Sequence, residues 1–273
     1  MKMSGAVDIF VEARRALLDA MDALNEHRSA FVLVGAQAIY LHTGSTRVAL
    51  AESTKDSDFA IDPRALQDDP LLEDAMRGAG FTHNPSTSQP GSWLSPRGVP
   101  VDLMVPEQLA GAGGSRSGRI APHSDRATRR TAGLEAAVVD HAPMIISALD
   151  PEDTRRIEMN VAGPAALLVA KLHKLGERQA VPSRLLDKDA HDVYRVLVAT
   201  DSATVAARLR QLREHELSGG VTNDALVYLQ QLFAAGPDAL GSAMAGRAEQ
   251  IVGAPATVSS SASVLAADLL ALM

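Results

Sequence analysis

The patterning of this chain changes near Gly163, and that switch constrains the fold more than any other feature. Upstream, short apolar runs separated by turn residues read as strands over 31–35, 57–61, 81–82, 92–94, 99–105, 134–139, 143–147 and 156–161. Helical patterns interrupt them over 6–28, where Phe10, Ala13, Leu17, Met21 and Leu24 recur at helical spacing, and over 36–42 and 64–79. Residues 43–52 read as a loop. Downstream, the stretches 164–178, 188–199, 202–217, 222–235, 237–252 and 258–272 all read as helices. Pro164 suits a first helical turn, and Gly219-Gly220, Gly236-Pro237 and 253–255 punctuate the series. The pattern predicts an α+β domain over 1–160, a mixed sheet flanked by helices, and then a C-terminal helical domain over 161–273.

Composition narrows the function classes. The chain has 273 residues, 46% of them hydrophobic and 22% charged, which excludes a fully disordered polymer. It has no cysteine, so disulfides, thiolate metal sites and cysteine nucleophiles are excluded together, and a reducing, cytoplasmic setting is expected. No apolar run reaches the roughly 18 residues a membrane span needs, and residues 1–10 lack the pattern of a signal peptide. A net charge of −7 argues against electrostatic coating of nucleic acid, and one Trp, three Tyr and five Phe make a poor stacking platform. The histidines show no HxxxH or HExxH spacing for zinc. Serine-nucleophile GxSxG motifs and a Walker A loop are also missing.

The chemistry-bearing stretch is Thr54-Lys-Asp-Ser-Asp-Phe-Ala-Ile-Asp62. Strand alternation places Asp56, Asp58 and, further along, Asp62 on one face, with Phe59 and Ile61 toward the core. Carboxylates sharing a strand face repel one another, and a hard divalent cation would offset the repulsion. Asp102 sits alone among apolar residues of Val99-Pro-Val-Asp-Leu-Met-Val105 and needs a partner or a metal. Two acids on one strand and one on a neighbour suit metal-assisted phosphoryl chemistry. The alternative is that Asp56 and Asp58 lie in a solvated turn and Asp102 pairs with an arginine.

A second group lies downstream. Lys171, Lys174 and Arg178 fall at i, i+3 and i+7, a cationic stripe that would neutralise phosphates or else form a solvated basic face. Lys188, Asp189 and Asp192 stand at a helix start, where acids also complement the dipole. Residues 111–133 are Gly-rich and basic, with Arg116, Arg119, Arg126, Arg129 and Arg130. They read either as a surface loop or as a rim that steers an RNA acceptor.

The order of a strand ending in Gly35, a helix, Asp56-Ser-Asp58 on a strand and Asp102 on another resembles the nucleotidyltransferase superfamily. The stretch from Val161 to Arg178 followed by Arg184-Leu-Leu-Asp-Lys-Asp-Ala-His-Asp192 resembles its AbiEii-type branch, which includes MenT-like toxins of toxin–antitoxin pairs. The resemblance spans about residues 30–200. It implies that Asp56, Asp58 and Asp102 hold Mg²⁺, with Asp102 completing the site or acting as base. It further implies that Gly35, Ala36, Lys171, Lys174 and Lys188 meet an NTP, and that Asp189 is the acid of the second domain. The activity implied is transfer of a nucleoside monophosphate to a tRNA 3′ end or a protein side chain, with an antitoxin as partner. Ala36 stands where that family has Gly or Ser, a long segment precedes Asp56, and Ser57 separates the acids. These features motivate two alternatives: a catalytically silent nucleotide- or protein-binding module, and a transferase acting on a small-molecule antibiotic.

Overall fold

The computed structural model describes residues 4–44, 56–113, 116–251 and 253–273, with side chains from residue 9 onward. The chain divides into two compact units. The first comprises Met1–Gln37, Ser53–Leu134 and His141–Ala162; the second comprises Ala38–Glu52, Glu135–Asp140 and Gly163–Met273. The loop expected over 43–52 lies mostly outside the described residues.

The first unit is a mixed sheet. Its described strands are β1 (Phe31–Val34), β2 (Ser57–Ile61), β3 (Thr82–His83), β4 (Ser92–Leu94), β5 (Pro100–Pro106), β6 (Arg129–Thr131), β7 (His141–Ser147) and β8 (Arg156–Ala162). They run in the order β3-β4-β5-β2-β1-β8-β7, with β6 paired to β5. Every residue of β1 is buried, as a central strand covered on both faces requires. It runs antiparallel to β2 and parallel to β8, and β2 in turn runs parallel to β5. Helix α1 (Ser4–Ala23) packs on the sheet with Ala13, Ala16, Leu17, Ala20 and Met21 buried at helical spacing. A 3₁₀ turn over Asn25–Ala30 then leads into β1, so the helix expected over 6–28 ends at Ala23.

Two expectations are corrected. Only Leu72–Gly78 forms a helix (α3) within the stretch 64–79. The segment before it is bounded by Pro63 and Pro70, and side chains take over its backbone groups. His27 Nε2 lies 2.7 Å from the Pro70 carbonyl and His123 Nε2 lies 3.0 Å from that of Gln67. The Leu72 amide donates to His123 Nδ1 at 3.2 Å, which fixes that ring as the neutral tautomer carrying its proton on Nε2. The strand expected over 134–139 is a series of turns, in which the amides of Val139 and Asp140 both donate to the Ala136 carbonyl. Leu134, Ala136, Ala137 and Val138 are buried, so the apolar run signalled burial rather than extension.

Helix α2 (Gly35–Thr43) follows β1 directly. The second unit is helical: α4 (Pro164–Arg178), α5 (Asp187–Ala199), α6 (Ser202–Glu214), α7 (Gly219–Leu229) with a π-helical turn over Gln230–Ala234, α8 (Leu240–Arg247) and α9 (Pro255–Ala271). α4 packs on α5 and α7, and α5 on α8. Pro164 opens α4 as expected, where its missing N–H costs no helical bond.

Candidate functional site

The acids of the first unit come together through register. β2 and β5 are parallel, and Asp58 stands directly beside Asp102. Side chains on a shared register row point to one face, about 5 Å apart from strand to strand. The same row contains Val34 of β1 and Ser92 of β4. Two carboxylates are therefore side by side near the C-terminal end of β1, where the chain turns into α2. Asp56 is half-buried just before β2, outside the strand whose alternation was used to orient it. Asp62, just past the other end of β2, is held in a two-pronged ion pair by Arg64, at 2.8 and 2.7 Å.

Gly35 is fitted to Asp58. Its φ is +69°, in the left-handed region that L side chains rarely adopt, and a Cβ there would lie 2.1 Å from Asp58 Oδ2. The carboxylate thus lies against the first residue of α2, where the helix dipole favours negative charge. Ala36 follows and is buried.

A buried polar network anchors these backbones. Gln37 Nε2 donates to Ser57 Oγ at 2.7 Å, and Ser57 Oγ donates to the Ala13 carbonyl at 3.1 Å. Arg14 Nε donates to Gln37 Oε1 at 3.0 Å. Burial lowers the pKa of the Arg14 guanidinium. The network ties the first turn of α2 and the residue before Asp58 to the same turn of α1.

Asp102 has a cationic partner. Arg129 Nη2 donates to Asp102 Oδ2 at 2.8 Å, and Arg129 Nη1 donates to Gln89 Oε1 at 2.9 Å. The alternative that Asp102 pairs with an arginine is thus what the structure shows; sequence reading named Arg129 only as part of the basic segment and did not single out Gln89. Among the described residues no group of three His, Asp or Glu side chains converges as a ready metal cluster. The donor set still fits a hard divalent cation, because Mg²⁺ is commonly held by one or two carboxylates together with substrate phosphates. Asp58 and Asp102 are such a pair, backed by a glycine that leaves room for one of them.

The second unit gathers the other predicted residues. Lys171 Nζ is 2.9 Å from Asp189 Oδ1 and 2.6 Å from Asp192 Oδ2. Lys174 Nζ is also 2.9 Å from Asp189 Oδ1, and Arg178 Nη1 is 3.5 Å from its Oδ2. Lys171 and Asp189 are buried, so the stripe on α4 is the cationic half of an interior ion-pair cluster rather than a solvated face. Burial works against the Lys171 ammonium, yet the two aspartates beside it raise its pKa above the usual lysine range. Burial likewise favours a neutral Asp189, but Lys171 and Lys174 hold its carboxyl far below the usual carboxylate range. Lys188 is half-buried on the first turn of α5.

The basic segment resolves into named contacts. Arg130 Nη2 donates to the Gly111 carbonyl at 2.5 Å, and Arg119 Nε lies 3.7 Å from Asp125 Oδ2. No helix of the described residues is long and apolar enough to cross a membrane. Nothing among protein-family models, curated proteins or solved structures matches this chain.

Proposed function

We propose that this chain is a metal-dependent nucleotidyltransferase with the AbiEii-type arrangement. It moves a nucleoside monophosphate from an NTP to an acceptor hydroxyl, either a tRNA 3′ end or a protein side chain, and pyrophosphate leaves. The observation that carries this reading is the register pairing of Asp58 with Asp102 beside the Gly35 turn. In the reaction the acceptor oxygen bonds to the α-phosphorus while the bond from that phosphorus to the bridging oxygen of the β-phosphate breaks. Asp102 takes the hydroxyl proton. Asp58, fixed against the first residue of α2, and Asp102 beside it would be the carboxylates that hold the divalent cation. A bound Mg²⁺ supplies charge neutralisation at the phosphoryl oxygens. The start of α2 presents backbone N–H groups suited to an anion. Lys171, locked by two carboxylates, is a fixed charge. Lys174 and Arg178, the more exposed cations of the cluster, share Asp189 with it. A toxin acting beside an antitoxin is the biological role this chemistry suits.

The Arg129–Asp102 ion pair favours a second reading, a silent module that binds a nucleotide without transferring it. One experiment separates the two. Purified protein is incubated with Mg²⁺ and each of four α-³²P-labelled NTPs, with total tRNA or total protein as acceptor. Label transfer that disappears in Asp58→Ala supports the transferase. Nucleotide binding without transfer, and without any Mg²⁺ requirement, supports the silent module.

A further inference from the structure

Arg129 occupies a position that the proposed chemistry does not yet explain. β6 runs parallel to β5 with Arg129 opposite Met104, two residues along from Asp102, so Arg129 and Asp102 share a face. The root of the side chain is clamped. The Leu103 amide donates to the Gly91 carbonyl at 2.7 Å, the Gly91 amide donates to the Arg126 carbonyl at 2.9 Å, and the Arg130 amide donates to the Arg116 carbonyl at 2.8 Å. Gly91, with φ +71°, lets this crossing happen, because a Cβ there would lie 2.5 Å from the Arg129 amide nitrogen. The guanidinium is thus presented by a fixed backbone and steadied by Gln89. Its side chain is 17% exposed and that of Asp102 is 19% exposed, so the contact is covered yet open to solutes.

A guanidinium stays charged at any working pH, and its planar fork matches a carboxylate and a phosphate equally well. Asp102 Oδ2 is an oxygen that a divalent cation would also claim. Arg129 and a cation at that oxygen repel each other and compete for it, and a polyphosphate arriving with the cation offers Arg129 an equivalent partner.

We propose that Arg129 is a positioning residue that exchanges partners: it holds Asp102 while the site is without nucleotide, and passes to the polyphosphate when cation and nucleotide arrive together. The inference rests on the transferase reading above and deepens it. Its consequence is coupling. The bare protein binds a divalent cation weakly, because the cation must displace Arg129, and nucleotide removes that penalty. Coupling through such a shared group is reciprocal between the two ligands.

The test measures binding alone. Mn²⁺ affinity is read by electron paramagnetic resonance, first with Mn²⁺ by itself and then with each of the four NTPs, for wild type, Arg129→Ala, Arg129→Lys and Asp58→Asn. We expect Arg129→Ala to bind Mn²⁺ alone about tenfold more tightly than wild type, and nucleotide with Mn²⁺ about tenfold more weakly. Arg129→Lys should fall between, since a lysine keeps the charge without the fork. These opposite changes are not what loosened packing gives, which weakens both. Unchanged Mn²⁺ affinity in Arg129→Ala, or loss of both affinities together, overturns the partner exchange while leaving the site reading intact, provided Asp58→Asn lowers Mn²⁺ binding. If wild type and Asp58→Asn bind Mn²⁺ alike, the site reading fails and the proposal fails with it.

Discussion

Gly35 and Asp58 are mutually fitted: the space a side chain at 35 would need is the space the Asp58 carboxylate fills, 2.1 Å from where a Cβ would stand. Gly35→Ala should therefore cost more than its φ of +69° alone imposes, which is about 1–2 kcal/mol. The two components are separable by a cycle. In an Asp58→Ala background the steric part disappears and only the backbone part remains. Urea unfolding of the four proteins should show the Gly35→Ala cost shrinking by at least about 1 kcal/mol in that background. Equal costs in both backgrounds would mean that the carboxylate moves aside freely.

Asp58→Asn keeps size and shape at a half-buried position and removes the charge. It should leave circular dichroism and the melting temperature near wild type and cut nucleotidyl transfer by about 10²-fold or more. Changes one shell further from a metal already cost 10- to 100-fold. An Asp58→Asn protein that retains full transfer would remove the carboxylate pair from the chemistry.

Lys171→Met would remove the cation that Asp189 and Asp192 share in the interior, leaving Asp189 its contacts with Lys174 and Arg178. A buried pair broken on one side costs about 3–5 kcal/mol, and the remaining cations place this case near the low end, about 3 kcal/mol. Adding Asp189→Asn and Asp192→Asn should recover much of that. The pH dependence follows from the directions of the shifts. Asp189 has a folded pKa below its unfolded one, so its contribution is complete above about pH 4 and is lost as pH falls through the folded value. Lys171 has a folded pKa above its unfolded one, so its contribution is complete below about pH 10 and is lost as pH rises through the folded value. The stability gap between wild type and Lys171→Met should be flat from about pH 5 to about pH 10 and narrow on either side. A constant gap down to pH 2 would contradict the ion-pair account.

Trp93, the single tryptophan, is fully buried, donates from Nε1 to the Ala127 carbonyl at 3.1 Å and stacks on His83 at 4.0 Å between ring centres. Burial, with Arg126 and Arg77 nearby, pushes the His83 pKa below the usual 6.5, and Glu73 opposes them. An imidazolium against the indole quenches its emission. Fluorescence should therefore drop on acidification with a midpoint below pH 6.5, and Arg126→Gln should move the midpoint upward. The stabilising contribution of neutral His83 is complete above about pH 6.5, its unfolded value, and fades as pH falls through the folded value. A midpoint at or above 6.5 would contradict the burial effect on the ring, and an unmoved midpoint in Arg126→Gln would show that this arginine does not act on it.

The parts of this fold that local pattern could reveal are those where burial and geometry coincide. β1 is an apolar run of strand length, β2 and β5 are apolar but for one or two polar residues, β8 alternates polar and buried apolar residues, and α4 and α5 show helical periodicity with Pro164 marking a start. The stretches 64–79 and 134–139 misled for one reason: apolar residues marked burial there while side chains and turns supplied the backbone partners. For the site, alternation correctly placed Asp58 away from Phe59 and Ile61, but it had no authority over Asp56, which precedes the strand. That Asp102 stands beside Asp58 is a matter of inter-strand register, which no local pattern encodes. Arg129 was masked by its Gly- and Arg-rich surroundings, and the only hint of strand is the brief Thr128–Thr131 flank. The Lys171, Lys174, Arg178 spacing was correct as a stripe. Its partners became visible only when α5 presented Asp189 and Asp192, also three residues apart, to that face.

β1 lies between β2 and β8, and β8 is the last strand of its unit to be made. Among the described strands, β7, made just before it, pairs with β8 alone. During synthesis, a fully apolar four-residue strand therefore waits with one flank open while more than a hundred further residues emerge. Docking of β8 seals that flank and brings in β7 with it, so the sheet is completed late, and a nascent chain halted just short of residue 156 would leave the apolar strand β1 with an unpaired edge.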